Sequence, residues 1–454
     1  MFVGREKELE MLRKELKKDK KSAVLIYGKR RIGKTTLIEE ALKGYKGIVI
    51  NHVCVKSTYE GNLEMLYRSV AKALNLPQIQ FAQLSEMFEY LGNQKKNIVL
   101  ILDEYPYLKE SKKKNEVDSY MQNIIDRMPS NIKLVLCGSY ISIMKELLEE
   151  SNPLFGRFSL IMDIKEFDYY EASMFYKDAD IKTKIERYAV FGGSPYILSN
   201  LDVDASLKQN IEENLLEETS VFRSHIENVL LQEVRKSFDV RILERIGNGK
   251  KKYSDITSAL NIMDNGYLDK QLKELLSMEV IQKEFPINKP NDKKKQFYSI
   301  KDNMMRFYFT YIFANASTIN KVGASSFYNN NIETTIKTFI SLRFEEIVRQ
   351  YFSRLAKEGK NSLILDIGSY WYDNPGEHDS GQFDCVVKTK NGYDFYECKY
   401  YEKPMKIKEC EEEANQIKSI PNLDHNKIGF VCSSGFESMN KDYSFITGEE
   451  LFKQ

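Results

Sequence analysis

The stretch Gly28-Lys29-Arg30-Arg31-Ile32-Gly33-Lys34-Thr35 lies between an apolar run, Ala23-Val24-Leu25-Ile26-Tyr27, and an amphipathic one, Thr36-Leu37-Ile38-Glu39-Glu40-Ala41-Leu42. The first run reads as a buried strand and the second as the helix that follows it. Glycines at 28 and 33 let backbone N–H groups wrap a polyphosphate, and the helix N-terminus adds partial positive charge. Lys34 then reaches the β- and γ-phosphates while the Thr35 hydroxyl ligates Mg²⁺. Strand, glycine loop, Lys-Thr and helix together are the context that the G-x-x-x-x-G-K-[ST] pattern requires. Gly28 through Thr36 is therefore expected to cradle ATP or GTP.

Two further strands extend this reading. Asn97-Ile98-Val99-Leu100-Ile101-Leu102 ends in Asp103-Glu104, and is expected to run beside the first strand. Asp103 is placed in the Mg²⁺ shell, and Glu104 as the group that polarises the attacking water. Ile132-Lys133-Leu134-Val135-Leu136-Cys137 ends at Gly138-Ser139, where Ser139 is placed to sense the γ-phosphate.

The 454 residues suffice for about three domains. Lys+Arg 67 against Asp+Glu 66 leaves a net charge of +1, so any basic surface must be local. No run approaches the roughly 18 apolar residues of a membrane span, and Met1-Phe2-Val3-Gly4-Arg5-Glu6-Lys7-Glu8 has no apolar signal core. Six cysteines without a C-x-x-C pair and four histidines point to reduced thiols in the cytoplasm, with no structural zinc.

Between 236 and 312 the pattern is three short helices and two strands. Val240–Ile246, Ser254–Leu260 and Tyr267–Met278 precede Val280–Phe285 and Gln296–Ile300. That is the winged helix-turn-helix order. Lys250-Lys251-Lys252 and the loop carrying Lys293-Lys294-Lys295 would set cations near a duplex backbone. The competing reading is a protein–protein spacer with solvated lysines.

The C-terminal part centres on Phe383-Asp384-Cys385-Val386-Val387-Lys388-Thr389-Lys390-Asn391-Gly392-Tyr393-Asp394-Phe395-Tyr396-Glu397-Cys398-Lys399. Asn391-Gly392 predicts a two-residue hairpin turn. In that register Lys390 opposes Tyr393, Val386 opposes Glu397 and Asp384 opposes Lys399, which sets Asp384, Glu397 and Lys399 on one face. Two carboxylates there make a Mg²⁺ or Mn²⁺ site, and the lysine positions or deprotonates a water. Upstream, Phe344, Ile347, Val348, Tyr351, Phe352 and Leu355 form a helical stripe. Glu345 borders it as a third acid, whereas Glu346 is expected to face solvent. A plain hairpin with an Asp–Lys ion pair is the competing reading. His378, in Pro375-Gly376-Glu377-His378-Asp379, reads as a loop histidine and is given no role.

Phe2-Val3-Gly4-Arg5-Glu6-x-Glu8-Leu9, the loop with paired arginines, Leu102-Asp103-Glu104, Cys137-Gly138-Ser139, Pro153-Leu154-Phe155-Gly156-Arg157 and Gly192-Gly193-Ser194-Pro195 occur in that order. Together they resemble the archaeal-type P-loop ATPases of the AAA+/STAND group over roughly the first 200 residues. The resemblance implies that Phe2, Gly4 and Arg5 and the turn ending in Pro195 contact the adenine end. It also implies that Arg157 is an arginine-finger or sensor candidate; by itself that arginine could equally be a salt-bridge partner. The arrangement Glu345…Asp384…Glu397-x-Lys399 resembles the PD-(D/E)XK nuclease fold. With Tyr370-Trp371 ahead of it, this part looks like the domain of unknown function (DUF234 type) fused behind such ATPases. There the aspartate is often preceded by Glu and Ile, places taken here by Gln382-Phe383.

The expected architecture is thus a multidomain α/β chain: a P-loop AAA+-like parallel-sheet core (1–165), a helical lid (166–235), a winged helix (236–312) and a restriction-endonuclease-like α/β domain (313–454). Its expected partners are ATP with Mg²⁺, DNA, and a protein of unknown identity; oligomers are allowed and no membrane is expected. The function expected is an ATPase that acts on DNA or is regulated by it, with a metal-dependent nuclease domain. The alternative is a STAND-like switch whose C-terminal parts are docking modules.

Overall fold

Five strands, β1 (Ser22–Tyr27), β2 (Ile48–Val53), β3 (Ile98–Asp103), β4 (Ile132–Gly138) and β5 (Leu160–Asp163), pair in parallel in the order β2-β3-β4-β1-β5. The computed structural model describes residues 2–77, 79–112, 115–233, 239–249, 251–262, 265–360, 363–374, 379–420 and 423–453. These divide into two units, Met1–Glu166 and Phe167–Gln454.

In the first unit the central strands are apolar without a break because helices cover both faces of the sheet. Leu25, Leu100, Leu134 and their alternates pack with Leu66, Met87, Phe88 and Met121, from helices Tyr59–Leu74, Leu84–Gly92 and Glu116–Arg127. Val24, Ile26, Val99, Val135 and Cys137 face the other way, onto Leu12, Leu16, Leu37 and Ile38 of helices Glu6–Leu16 and Lys34–Leu42. One expectation is corrected here: β3 does not run beside β1, because β4 lies between them. All seven residues of β4 are buried, whereas β2 and β5 are partly exposed, so the apolar strand takes the centre and the mixed ones the edges. Since all five strands point the same way, β1, β3 and β4 still end on one edge.

The second unit begins with helices that include Ile181–Phe191, Leu207–Ile211 and Val221–Glu233. Three more, Arg241–Gly247, Tyr253–Leu260 and Asn265–Ser277, precede the antiparallel pair β6 (Ile281–Glu284) and β7 (Phe297–Ile300). A long helix, Ile336–Lys357, then leads into a mixed sheet. It comprises β8 (Ile364–Asn374), β9 (Asp379–Thr389), β10 (Gly392–Lys399), β11 (His425–Cys432) and β12 (Ser444–Thr447), ordered β12-β11-β10-β9-β8. One core joins these segments: Ile185, Ile242, Leu272, Phe344, Ile347 and Val387 belong to the same cluster.

The β9–β10 hairpin departs from the expected register by two residues. Thr389 pairs with Gly392, Lys388 with Tyr393 and Val386 with Phe395, so the turn is Lys390-Asn391. Gly392 takes the positive φ of 125° inside the strand rather than in the turn. An even shift preserves faces, and Phe395, Glu397 and Lys399 still alternate together. Asp384 is different. Against β8, Gly368 pairs with Val386 and Tyr370 with Phe383, leaving Asp384 and Cys385 both opposite Ser369. This bulge breaks the period-two pattern at the aspartate.

Candidate functional site

The glycine loop leaves the end of β1 and enters helix Lys34–Leu42, whose N-cap, Gly33, offers no side-chain cap. The first amides of that helix are therefore available to an anion. Gly28 has φ +155°, and a Cβ there would lie 2.2 Å from the Ile164 carbonyl oxygen, so only glycine fits. Lys34 is buried, and its ammonium donates to the carbonyls of Gly28 (2.9 Å) and Lys29 (2.8 Å) and to Ser139 Oγ (2.9 Å). Ser139 Oγ in turn donates to Glu104 Oε1 at 2.8 Å, and Thr35 Oγ1 donates to Asp103 Oδ2 at 3.0 Å. The residues read from three distant segments thus meet at the C-terminal edge of the sheet. Positive φ at the non-glycine residues Arg5, Arg31 and Glu104 concentrates backbone strain there, as functional sites do.

Arg5 is buried and donates to the Ile32 carbonyl (3.1 Å) and the Lys165 carbonyl (2.7 Å), bracing the loop from the N-terminal segment. Phe2 packs against the same core, and Gly4 has φ 65°. Lys29 pairs with Glu166 at 2.7 Å. Thr36 is exposed on the first turn of the helix. Pro195 belongs to the second unit and opens the short helix Pro195–Leu198; Gly193 allows the chain there to pair with Phe167, where a Cβ would lie 1.9 Å from the carbonyl oxygen.

Arg157 does not stand by the loop. It precedes β5 and pairs with Asp126 (Nε to Oδ1 3.0 Å), while its Nη1 donates to the Pro153 carbonyl at 2.8 Å. That is the N-terminal edge of the sheet, about 17 Å from the loop along β1 at the usual strand rise. In this arrangement the guanidinium does not reach the loop.

In the second unit Lys399 pairs with Glu397 at 2.9 Å and with Glu413 of helix Ile407–Ser419 at 2.8 Å. Burial pushes the Glu397 carboxyl above the ordinary glutamate value; Lys399 pulls it back, while Glu413 and Asp384 push it further up. Burial works against the Lys399 ammonium, but Glu397 and Glu413 outweigh it and hold its pKa well above that of a free lysine. Lys399 thus stands as a charged donor to both carboxylates. Gln382 Nε2 donates to Asp384 Oδ1 at 2.9 Å, and Arg349 holds the Asp384 carbonyl at 2.6 Å.

Glu345 does not join this group. Helix Ile336–Lys357 packs on the sheet face bearing Tyr396 and Cys398, whereas Phe395, and with it Glu397 and Lys399, faces the side covered by Cys410 and Ala414 of helix Ile407–Ser419. Glu346, expected in solvent, instead pairs with buried Arg306 at 2.8 Å. Among the described residues no three His, Cys, Asp or Glu side chains converge to hold a metal ion. Of the three acids expected to share a Mg²⁺ or Mn²⁺ site, Asp384 lies close enough to Glu397 to act on its carboxyl, and Glu345 lies on the other face. Glu413 was missed in the sequence because its run, Glu411-Glu412-Glu413, reads as a solvated helix face. Lys399→Ala leaves two half-buried acids facing each other and is expected to lower stability by about 1–2 kcal/mol at pH 7. A raised folded-state carboxyl pKa means that this loss shrinks as pH falls through that pKa, which urea titrations at pH 7 and pH 5 would measure.

Two of the lysines expected near DNA, Lys252 and Lys295, are engaged within the unit. Lys295 lies 3.6 Å from the Trp371 ring centroid and Lys252 5.6 Å from it. Lys289 and Lys295 both pair with Asp373, and Trp371 Nε1 donates to the same carboxylate at 2.6 Å. The Lys289 and Trp371 hydrogen bonds hold the Asp373 carboxyl down at about 2. This clasp is complete above the ordinary aspartate pKa and is lost only as pH falls through about 2. Lys293 and Lys294 remain exposed; Lys250 and His378 lie outside the described residues.

Two family models match the chain. The family described as an ATPase domain predominantly from Archaea matches residues 2–201, and one of archaeal and bacterial proteins of unknown function matches residues 308–416. The uncharacterized protein MJECL04 of Methanocaldococcus jannaschii is 30% identical over 377 residues, covering 82% of this chain and 82% of that protein. The uncharacterized ATP-binding protein MJ0423 of the same organism is 44% identical over 46 residues, 10% of this chain and 78% of its own length. Among solved structures, the Walker-type ATPase PABY2304 of Pyrococcus abyssi superposes with a TM-score of 0.49 at 19% identity, over 68% of this chain and 96% of that one.

Proposed function

Because the chain belongs to the family of archaeal-type ATPases in which a P-loop ATPase domain precedes a C-terminal domain of unknown function, we propose that it hydrolyses ATP and passes the resulting change to its C-terminal unit. The observation that carries this reading is the hydrogen-bond chain from Lys34 through Ser139 to Glu104. It joins a phosphate-binding lysine to a carboxylate at the place where a terminal phosphate and its attacking water would meet. Lys34 gives up its bonds to the loop carbonyls when the phosphates arrive. Ser139 stands where it senses the γ-phosphate, and Glu104 orients the water and accepts its proton. Thr35 and Asp103 would hold the Mg²⁺ that neutralises the phosphate charge. Phe2, Gly4, Arg5 and Pro195 are assigned to the adenine end by family resemblance. Magnesium-dependent ATP turnover by the parent chain, absent in Lys34→Ala, tests the reading; equal rates in both would refute it.

For the output we propose contact with DNA through the segment of three helices and a hairpin, whose order supports a winged helix. A second reading, a switch that acts by protein docking, is favoured by the clasp that takes up Lys252, Lys289 and Lys295. The two separate in one measurement. Asp373→Asn combined with Trp371→Ala is expected to free Lys289 and Lys295, while Lys252 keeps the Phe297 ring, and to steepen the salt dependence of duplex binding by about two in log–log slope. An unchanged slope favours docking. For the C-terminal sheet we derive no metal-assisted step. Nicking of DNA by the parent with Mg²⁺ or Mn²⁺, abolished in Lys399→Ala, would restore the nuclease reading.

A further inference from the structure

We infer that Arg30 is the charge that meets the γ-phosphate of ATP, supplied in cis by the loop itself. This deepens the ATP-hydrolysing reading and rests on it. The terminal-phosphate end of the site is marked by Lys34, Ser139 and Glu104, joined by hydrogen bonds of 2.9 and 2.8 Å. Arg30 is tied to the same two strand ends. Its Nη2 donates to the hydroxyl of Tyr140, the residue after Ser139, at 2.9 Å. The same nitrogen donates to the hydroxyl of Tyr107, three residues after Glu104, at 3.1 Å.

The two phenols are themselves hydrogen-bonded at 3.1 Å, and the guanidinium carbon lies 5.0 Å from the centroid of the Tyr140 ring. The Glu104 carboxylate is near enough to act on the guanidinium. Tyr107 and Tyr140 thus position the guanidinium, by hydrogen bonds from Nη2 and by the ring face of Tyr140. Two other candidates are committed elsewhere. Lys29 is paired with Glu166, and Arg157 is paired with Asp126 at the opposite edge of the sheet. An arginine held over the transferring phosphoryl stabilises charge that grows in the transition state.

The test compares the full-length parent, Lys34→Ala, Arg30→Ala, Arg30→Gln and Arg157→Ala. Turnover of ATP is read beside retention of fluorescent ADP with and without aluminium fluoride, which imitates the phosphoryl in transfer. Arg30→Ala is expected to lose about 10³-fold in turnover, the low end for an arginine at this position. It should hold ADP within about threefold of the parent, as expected for an interaction made in the transition state only, and aluminium fluoride should no longer tighten that hold. Should Arg30→Ala fail to bind ADP, Arg30→Gln decides, because it keeps a donor to the tyrosines and removes only the charge. A fluoride-tightened complex in Arg30→Gln equal to the parent's would overturn the inference. So would loss of that complex in Arg157→Ala with Arg30→Gln unaffected. A parent that neither turns over ATP nor tightens on ADP would refute the hydrolysis reading itself, and the inference with it.

Discussion

Glu104→Gln is expected to bind ATP as the parent does and to turn it over about 10³-fold more slowly. The substituted amide keeps the length of the side chain, and its carbonyl oxygen still accepts the Ser139 hydroxyl that now lies 2.8 Å from Oε1. What it loses is the capacity to accept a proton from water. The backbone around the residue is unusually constrained: Glu104 has φ 52°, and its amide donates to Asp103 Oδ1 at 2.9 Å. That geometry aims the carboxylate and survives the substitution, so binding and turnover separate cleanly. Isothermal titration with ATP and a phosphate-release assay on the same preparation measure the two. Parent-like turnover would assign the base elsewhere.

Asp118→Ala is expected to destabilise the first unit by about 3–5 kcal/mol, the usual cost of removing one partner from a buried charge network. Asp118 is fully buried. It accepts the Tyr105 hydroxyl at 2.8 Å and Asn152 Nδ2 at 2.9 Å, and pairs with Lys109 at 3.3 Å. Truncation strips acceptors from two buried donors and leaves Lys109 only its second partner, Glu146, at 3.3 Å. Tyr105 is also fully buried, and burial followed by the Asp118 charge raises its hydroxyl pKa well above the ordinary value. Because Tyr105 follows Glu104 directly, the loss should reach the site: turnover is expected to fall at temperatures where the variant is still folded. Asp118→Asn keeps an acceptor for Tyr105 and should cost less. Urea midpoints, compared at equal m-values, give the difference. A shift below about 1 kcal/mol, the scale of an ordinary surface change, would contradict the assigned role of the network.

Local chemistry was legible from the chain alone. The loop from Gly28 to Thr35, the acids closing β3 and the polar residue closing β4 are each decided within a strand and the turn after it, where side-chain period and backbone conformation are set by near neighbours. For the same reason Glu397 and Lys399 could be assigned to one face of β10 even though the hairpin register was two residues off: an even slip leaves faces unchanged. The tyrosines that hold Arg30 were also visible, directly after Ser139 and close after Glu104, but nothing local says that two strand ends will share an arginine.

Tertiary structure alone decided which element covers each face. It put β4 between β1 and β3, sent Arg157 to the far edge of the sheet, laid Glu345 on the face opposite Lys399 and brought Glu413 there instead. It also turned Lys252 and Lys295 onto Trp371. Periodicity states where a side chain points, whereas its partner depends on how helices and strands distant in sequence bury their apolar stripes against one another, and that competition is settled only when the whole core packs.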